Sequence, residues 1–180
     1  MKILIFFVLF LLLSQPALPC GPEPLSGREV STGKLTEISP INKPMTVVLF
    51  LSSQCPCSIA HERILKELAT QYSQVQFIGV VSNPDETDEG IQKHFKESQL
   101  PFPIIRDEAS ALANRFGALK TPHAFILNAQ GKYLYRGGVS TSRNPAHSTR
   151  AHLRLAIEEI LQGKTPTVAD TRSLGCVIRR

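Results

Sequence analysis

Two thiols one residue apart, Cys55-Pro56-Cys57, stand in the short polar stretch Ser52-Ser53-Gln54-Cys55-Pro56-Cys57-Ser58. The apolar run Thr46-Val47-Val48-Leu49-Phe50-Leu51 precedes it, and a helical pattern follows. A sulfur at such a strand-to-helix junction faces free backbone N–H groups and the positive end of the helix dipole. Both favour the charged form, so its pKa is expected below the usual ~8.5 and the sulfur becomes a nucleophile at neutral pH. Pro56 suits the first position of a helix and stiffens the turn. Inert free cysteines are mostly small buried hydrophobes. A pair in a polar loop is placed instead for redox or metal chemistry. The spacing is Cys-x-Cys, with Ser58 where a Cys-x-x-Cys pair would have its second sulfur. A Cys55–Cys57 disulfide would close a small, strained ring.

Two further cysteines are remote in sequence: Cys20, and Cys176 within Gly175-Cys176-Val177-Ile178. Soft ligands for copper or zinc are on offer too. The alternative metal set is Cys55, Cys57, His61 and His123. His61 lies four residues after Cys57 and so shares a helix face with it, one turn along. His94, His147 and His152 read as surface residues.

The elements that must position these groups alternate. Thr46–Leu51 is continuously apolar and β-branched, which suits a strand buried on both faces. Ser58 to Tyr72 repeats apolar residues at helical spacing (Ile64, Leu65, Leu68, Ala69, Tyr72). Val75–Val81 is a second buried strand, and Asp88–Ser98 a more polar helix. Phe102–Arg106 is a short strand, and Ala109–Phe116 a short helix closed by Gly117. Thr121–Leu127 is a strand, turned by Asn128-Ala129-Gln130-Gly131 into Lys132–Gly138. Thr149–Leu161 is the last helix. Before them, residues 21–45 read as a linker and an edge element, with a short strand over Glu29–Leu35. After them, residues 164–180 form a tail carrying Cys176. The pattern predicts a three-layer α/β/α sandwich around a mixed sheet, with one domain over residues 46–163.

The chain has 180 residues, enough for one domain and a leader. Its net charge of +5 is scattered, with no basic stripe interleaved with aromatics, which argues against nucleic-acid binding. Residues 1–20 have the form of a secretory signal peptide: Lys2, an apolar run of 11 residues from Ile3 to Leu13, then Pro16 and Pro19. That run is too short to span a bilayer, which needs ~20 residues. Membrane contact is therefore expected only through the leader or a lipid on Cys20. Export to a periplasmic or extracellular space places the cysteines in an oxidising compartment, where Cys20 is a structural alternative partner for Cys176.

The order of parts resembles the thioredoxin superfamily, and in particular exported redoxins of the alkyl-hydroperoxide-reductase/thiol-specific-antioxidant type. The residues carrying the resemblance are Phe50–Pro56, Lys120–Lys132 with Thr121-Pro122, Tyr135-Arg136-Gly137 and the final Gly175–Ile178. It implies a thioredoxin-like fold, Cys55 as the attacking cysteine, and a cis-proline at Pro122. The Thr121–Pro122 loop would lie against the cysteine and pair with an extended substrate. Thiol–disulfide exchange follows as the expected activity, with protein disulfides or dithiols and an electron donor as partners and no cofactor. Cys57 or Cys176 would resolve the mixed disulfide, Cys57 being favoured by proximity in sequence. The chain departs from its relatives in lacking Cys-x-x-Cys. It also has Val48 where a peroxiredoxin would have proline, although Ser52 fits the hydroxyl position. A thiol peroxidase and a redox-inert binding module are the remaining alternatives.

Overall fold

The central strand β3 (Met45–Leu51) is buried along its whole length. Its alternate side chains feed two different cores, as the period of two requires. Val47, Leu49 and Leu51 join one cluster with Leu65, Leu68, Ile91, Leu153 and Ile157. Val48 and Phe50 join the other with Ile78, Val80, Leu112 and Phe116. Both faces of the sheet are therefore covered by helices, and the expected α/β/α layering is present. The computed structural model describes residues 23–40 and 43–180. The expected leader, residues 1–20, and Cys20 lie outside them.

In chain order the elements are β1 (Leu25–Glu29), β2 (Leu35–Ile38), β3, α1 (Pro56–Gln71), β4 (Gln76–Val81), α2 (Asp88–Ser98), β5 (Ile104–Arg106), α3 (Ala111–Phe116), β6 (Lys120–Thr121), β7 (His123–Asn128), β8 (Tyr133–Gly137), α4 (His152–Leu161) and β9 (Cys176–Val177). The main sheet runs β2-β1-β5-β4-β3-β7-β8. β3 pairs parallel to β4, and β4 to β5, because helices α1 and α2 supply the crossovers. β7 lies antiparallel to β3 with Phe50 opposite His123, and β8 returns beside β7. Phe50, Phe116 and Phe125 meet edge to face with centroids 5.2–5.6 Å apart, a geometry that aromatic quadrupoles favour. Among the described residues, no helix is long and apolar enough to cross a membrane.

Two expectations need correction, and the tail gains a place in the fold. Glu29–Leu35 is not one strand: it joins the last residue of β1 to the first of β2 through a turn over residues 30–34, where Glu29 N–H bonds Lys34 O and Gly33 adopts φ +69°. The strand expected over Thr121–Leu127 is broken at Pro122, which lacks the N–H a continuous ladder needs. The tail beyond residue 163 is docked rather than loose. Its β9 pairs antiparallel with β6, Lys120 opposite Val177 and Thr121 opposite Cys176. Ser173 Oγ donates to Pro122 O at 2.7 Å, Ile178 N–H to Leu119 O at 3.0 Å, and Ile178 is buried.

Candidate active site

Cys55 is the residue from which α1 starts, with Pro56 at the first helical position. The loop before it is held by short polar side chains. Ser52 Oγ accepts from the N–H groups of Gln54 (3.2 Å) and Cys55 (3.1 Å), and Ser52 N–H donates to Ser58 Oγ at 3.1 Å. Ser58 is fully buried, so the position of the missing second cysteine is occupied by a hydroxyl that fastens the loop. Glu86, also buried, accepts from Ser53 N–H (2.7 Å), Ser53 Oγ (2.5 Å) and Asn83 Nδ2 (2.9 Å).

The Thr121–Pro122 peptide bond is cis, as the resemblance implies, and the loop lies against the sulfur: Cys55 Sγ donates to Thr121 O at 3.1 Å. β9 then brings Cys176 to the same place. The sulfurs of Cys55, Cys57 and Cys176 all lie within 4.8 Å of one another. Cys55 is 2% exposed, beneath half-buried Cys57 and Cys176. All three are free thiols.

The three sulfurs share charge unequally. Burial alone would raise Cys55. The polar hydrogens around it, those of the Cys176 thiol and of the Ser58 and Cys176 N–H groups, outweigh burial, and its pKa falls below the ordinary thiol value. Cys55 holds the N-cap position of α1, where the helix dipole favours a negative charge. Cys57 is raised by burial and then by the Cys55 charge, with Arg143 opposing. Cys176 is pushed up to about 12, first by burial and then by its hydrogen bond to Cys55 and the Cys55 charge. Of the three sulfurs, Cys55 ionises first, and its two neighbours hold their protons more tightly.

The histidines of the alternative metal set do not join this cluster. His61 is buried with both ring nitrogens engaged, Nδ1 with Cys57 O (2.7 Å) and Nε2 with Ser140 Oγ (2.9 Å). Its burial lowers its pKa, and it works as a buried tie between α1 and the loop after β8. His123 stacks on Phe125 at 4.5 Å, and its Nδ1 faces Leu119 N–H at 3.4 Å. His94 is less exposed than expected and pairs with Glu62 at 2.6 Å.

Residues 27–153 match the model of the Redoxin family, more than half of the chain. The chain belongs to the Redoxin family. The thiol-disulfide oxidoreductase ResA of Bacillus thuringiensis subsp. konkukian is 23% identical over 103 residues, 57% of this chain and 59% of that protein. The chain thus spans under two thirds of that relative's length. Among solved structures, an uncharacterized conserved protein of Geobacillus kaustophilus is 26% identical with a TM-score of 0.78, covering 90% of this chain and 92% of that one. A secreted disulfide oxidoreductase of Mycobacterium tuberculosis superposes with a TM-score of 0.55 at 18% identity, covering 71% and 88%. These neighbours carry the same thioredoxin-like fold.

Several groups that build this redoxin's site were not singled out from the sequence. Asn83, Glu86 and Ser140 have no spacing that marks them. Asn83 also accepts from Arg179 N–H at 3.1 Å, so one polar network ties the Cys55 loop to the segment bearing Cys176.

His123 carries a pH consequence. Burial holds its pKa down at about 4 in the fold, against ~6.5 when unfolded. The folded state therefore excludes a proton that the unfolded state binds. Its contribution is complete above pH ~6.5 and is lost as pH falls toward 4, by up to about 3 kcal/mol. Urea unfolding at pH 7 and pH 4.5 should show a smaller acid loss in His123→Phe than in the parent; equal losses would refute it.

Proposed function

We propose that the chain is an exported thiol–disulfide oxidoreductase in which Cys55 attacks and Cys176 resolves. The observation that carries this reading is the meeting of three free sulfurs beside the cis-proline loop, with Cys55 the most acidic of them. The ResA likeness supports the same chemistry, and the form of residues 1–20 supports a periplasmic or extracellular setting. Protein disulfides or dithiols and a separate electron donor are the partners this chemistry requires.

The Cys55 thiolate attacks one sulfur of a partner disulfide. A Cys55–partner S–S bond forms, the partner S–S bond breaks, and the second partner sulfur leaves as a thiolate that takes a proton from solvent. Forming the mixed disulfide removes the negative charge that helps to hold the Cys176 proton. Cys176 then loses that proton more readily and attacks Cys55, releasing the partner's first sulfur. A Cys55–Cys176 disulfide remains, and an external dithiol reduces it with two electrons to restart the cycle. Cys57 starts equally near, but its bond to Cys55 would close the small ring within one turn. Cys55 lies beneath β9, so a bulky partner engages it when this strand lifts from β6, which also frees the Thr121 edge for the partner's extended chain.

The test is trapping with glutathione disulfide, read by intact mass. Cys176→Ser should accumulate a glutathione adduct on Cys55. Cys57→Ser should pass through it to the Cys55–Cys176 disulfide. An adduct that persists in Cys57→Ser and clears in Cys176→Ser would assign resolution to Cys57. No adduct in any variant above a Cys55→Ser control would overturn the exchange reading.

A further inference from the structure

The same three sulfurs have a geometry that exchange alone does not need. Two sulfurs suffice for a disulfide. Here a third, from a different element, completes a triangle with all edges at or below 4.8 Å. A metal held by three sulfurs in one plane at ~2.3 Å needs S···S separations of about 4 Å. The observed triangle closes onto such an ion by shifts of less than about an ångström in flexible side chains.

We propose that the reduced protein binds one monovalent copper ion through Cys55, Cys57 and Cys176. Soft thiolates select Cu(I). With His61 bonded at both ring nitrogens and His123 outside the cluster, no histidine, aspartate or glutamate among the described residues joins the three sulfurs to complete the tetrahedron that zinc favours. Three sulfurs this close keep protons on them when no cation sits between them. Binding displaces their protons to solvent, with no change in the oxidation state of copper or sulfur. The start of α1, which Cys55 immediately precedes, offsets part of the negative charge left on the site. Copper in this position engages every sulfur that exchange would use, so the loaded protein is closed to disulfides. The site needs only reduced thiols, and it stands or falls separately from the exchange reading.

The test uses the full-length protein, fully reduced under nitrogen. It is titrated with Cu(I) as its acetonitrile complex against bicinchoninate, and zinc is titrated in parallel. One Cu(I) per chain should be retained, with X-ray absorption showing three sulfur neighbours at ~2.3 Å and no nitrogen or oxygen. Cys57→Ser and Cys176→Ser should each lose affinity by at least about tenfold. His123→Ala should keep both stoichiometry and coordination. The inference is overturned if the chelator strips copper from the parent protein, if Cys176→Ser binds as tightly as the parent, or if zinc is held at one equivalent in preference to Cu(I). Far-UV circular dichroism of each serine variant separates loss of a ligand from loss of fold.

Discussion

Cys55→Ser should reduce disulfide exchange to the uncatalysed background, a loss on the order of a thousandfold or more, while Cys57→Ser retains most of it. The asymmetry follows from which sulfur is ionised. The attacking species is the thiolate. Only Cys55 is pulled below the ordinary thiol range, whereas Cys57 is pushed above it by burial and by the Cys55 charge. A serine hydroxyl at position 55 stays protonated at every working pH and has no comparable nucleophilicity. The fold should tolerate the change, because Ser is among the best residues at a helix start and its oxygen can accept the Ser58 N–H. Reduction of insulin or glutathione disulfide, followed alongside thermal unfolding, checks both halves. Parent-like exchange in Cys55→Ser, with Cys57→Ser inactive, would move the nucleophile to Cys57 and end this account.

The fold was legible where burial is two-sided or strictly periodic. Thr46–Leu51 announces a central strand because every residue is apolar or β-branched, and β3 is buried throughout. Asp88–Ser98 announces α2 through Ile91 and Phe95 at helical spacing, and these are the residues α2 buries. The site was legible in part. Cys55 and Thr121-Pro122 stand out because their residue types are rare in those positions. Cys176 was visible but could not be placed, since a two-residue strand leaves no period to read. What brings it to Cys55 is a set of single contacts, from Ser173 to Pro122 O and from Asn83 to Arg179, and none of these carries a sequence signal. The histidines misled for the opposite reason. The spacing of His61 from Cys57 suggested a ligand, yet His61 spends one nitrogen on Cys57 O in its own helix and the other on Ser140 beyond β8.

Gly175 is the residue on which the closeness of Cys176 depends most. A Cβ there would sit 1.9 Å from Thr121 O, 2.7 Å from Thr121 C and 3.3 Å from Pro122 N. All three neighbours are backbone atoms of the loop against which Cys55 rests, so no side chain can swing aside to make room. The strand itself must move. Gly175→Val should therefore lift β9 from β6 and cost about 1–3 kcal/mol of stability, the usual range for overpacking. The core of the domain should survive, because β9 lies in a separate two-stranded sheet. The effects at the sulfurs should be larger than the effect on stability. Cys55, nearly covered in the parent, becomes open to solvent, yet it loses hydrogen bonds from the Cys176 thiol and the Cys176 N–H that favour its anion. The Cys55–Cys176 disulfide should no longer form in air or glutathione. Mixed disulfides with glutathione should then persist, as in Cys176→Ser. Alkylation by iodoacetamide across pH 5–9, read residue by residue by mass, measures the pKa and the exposure together. A Gly175→Val protein that still closes the Cys55–Cys176 bond at the parent rate would show that the tail reaches Cys55 without docking on the proline loop, and the strand pairing would lose its role in bringing the two sulfurs together.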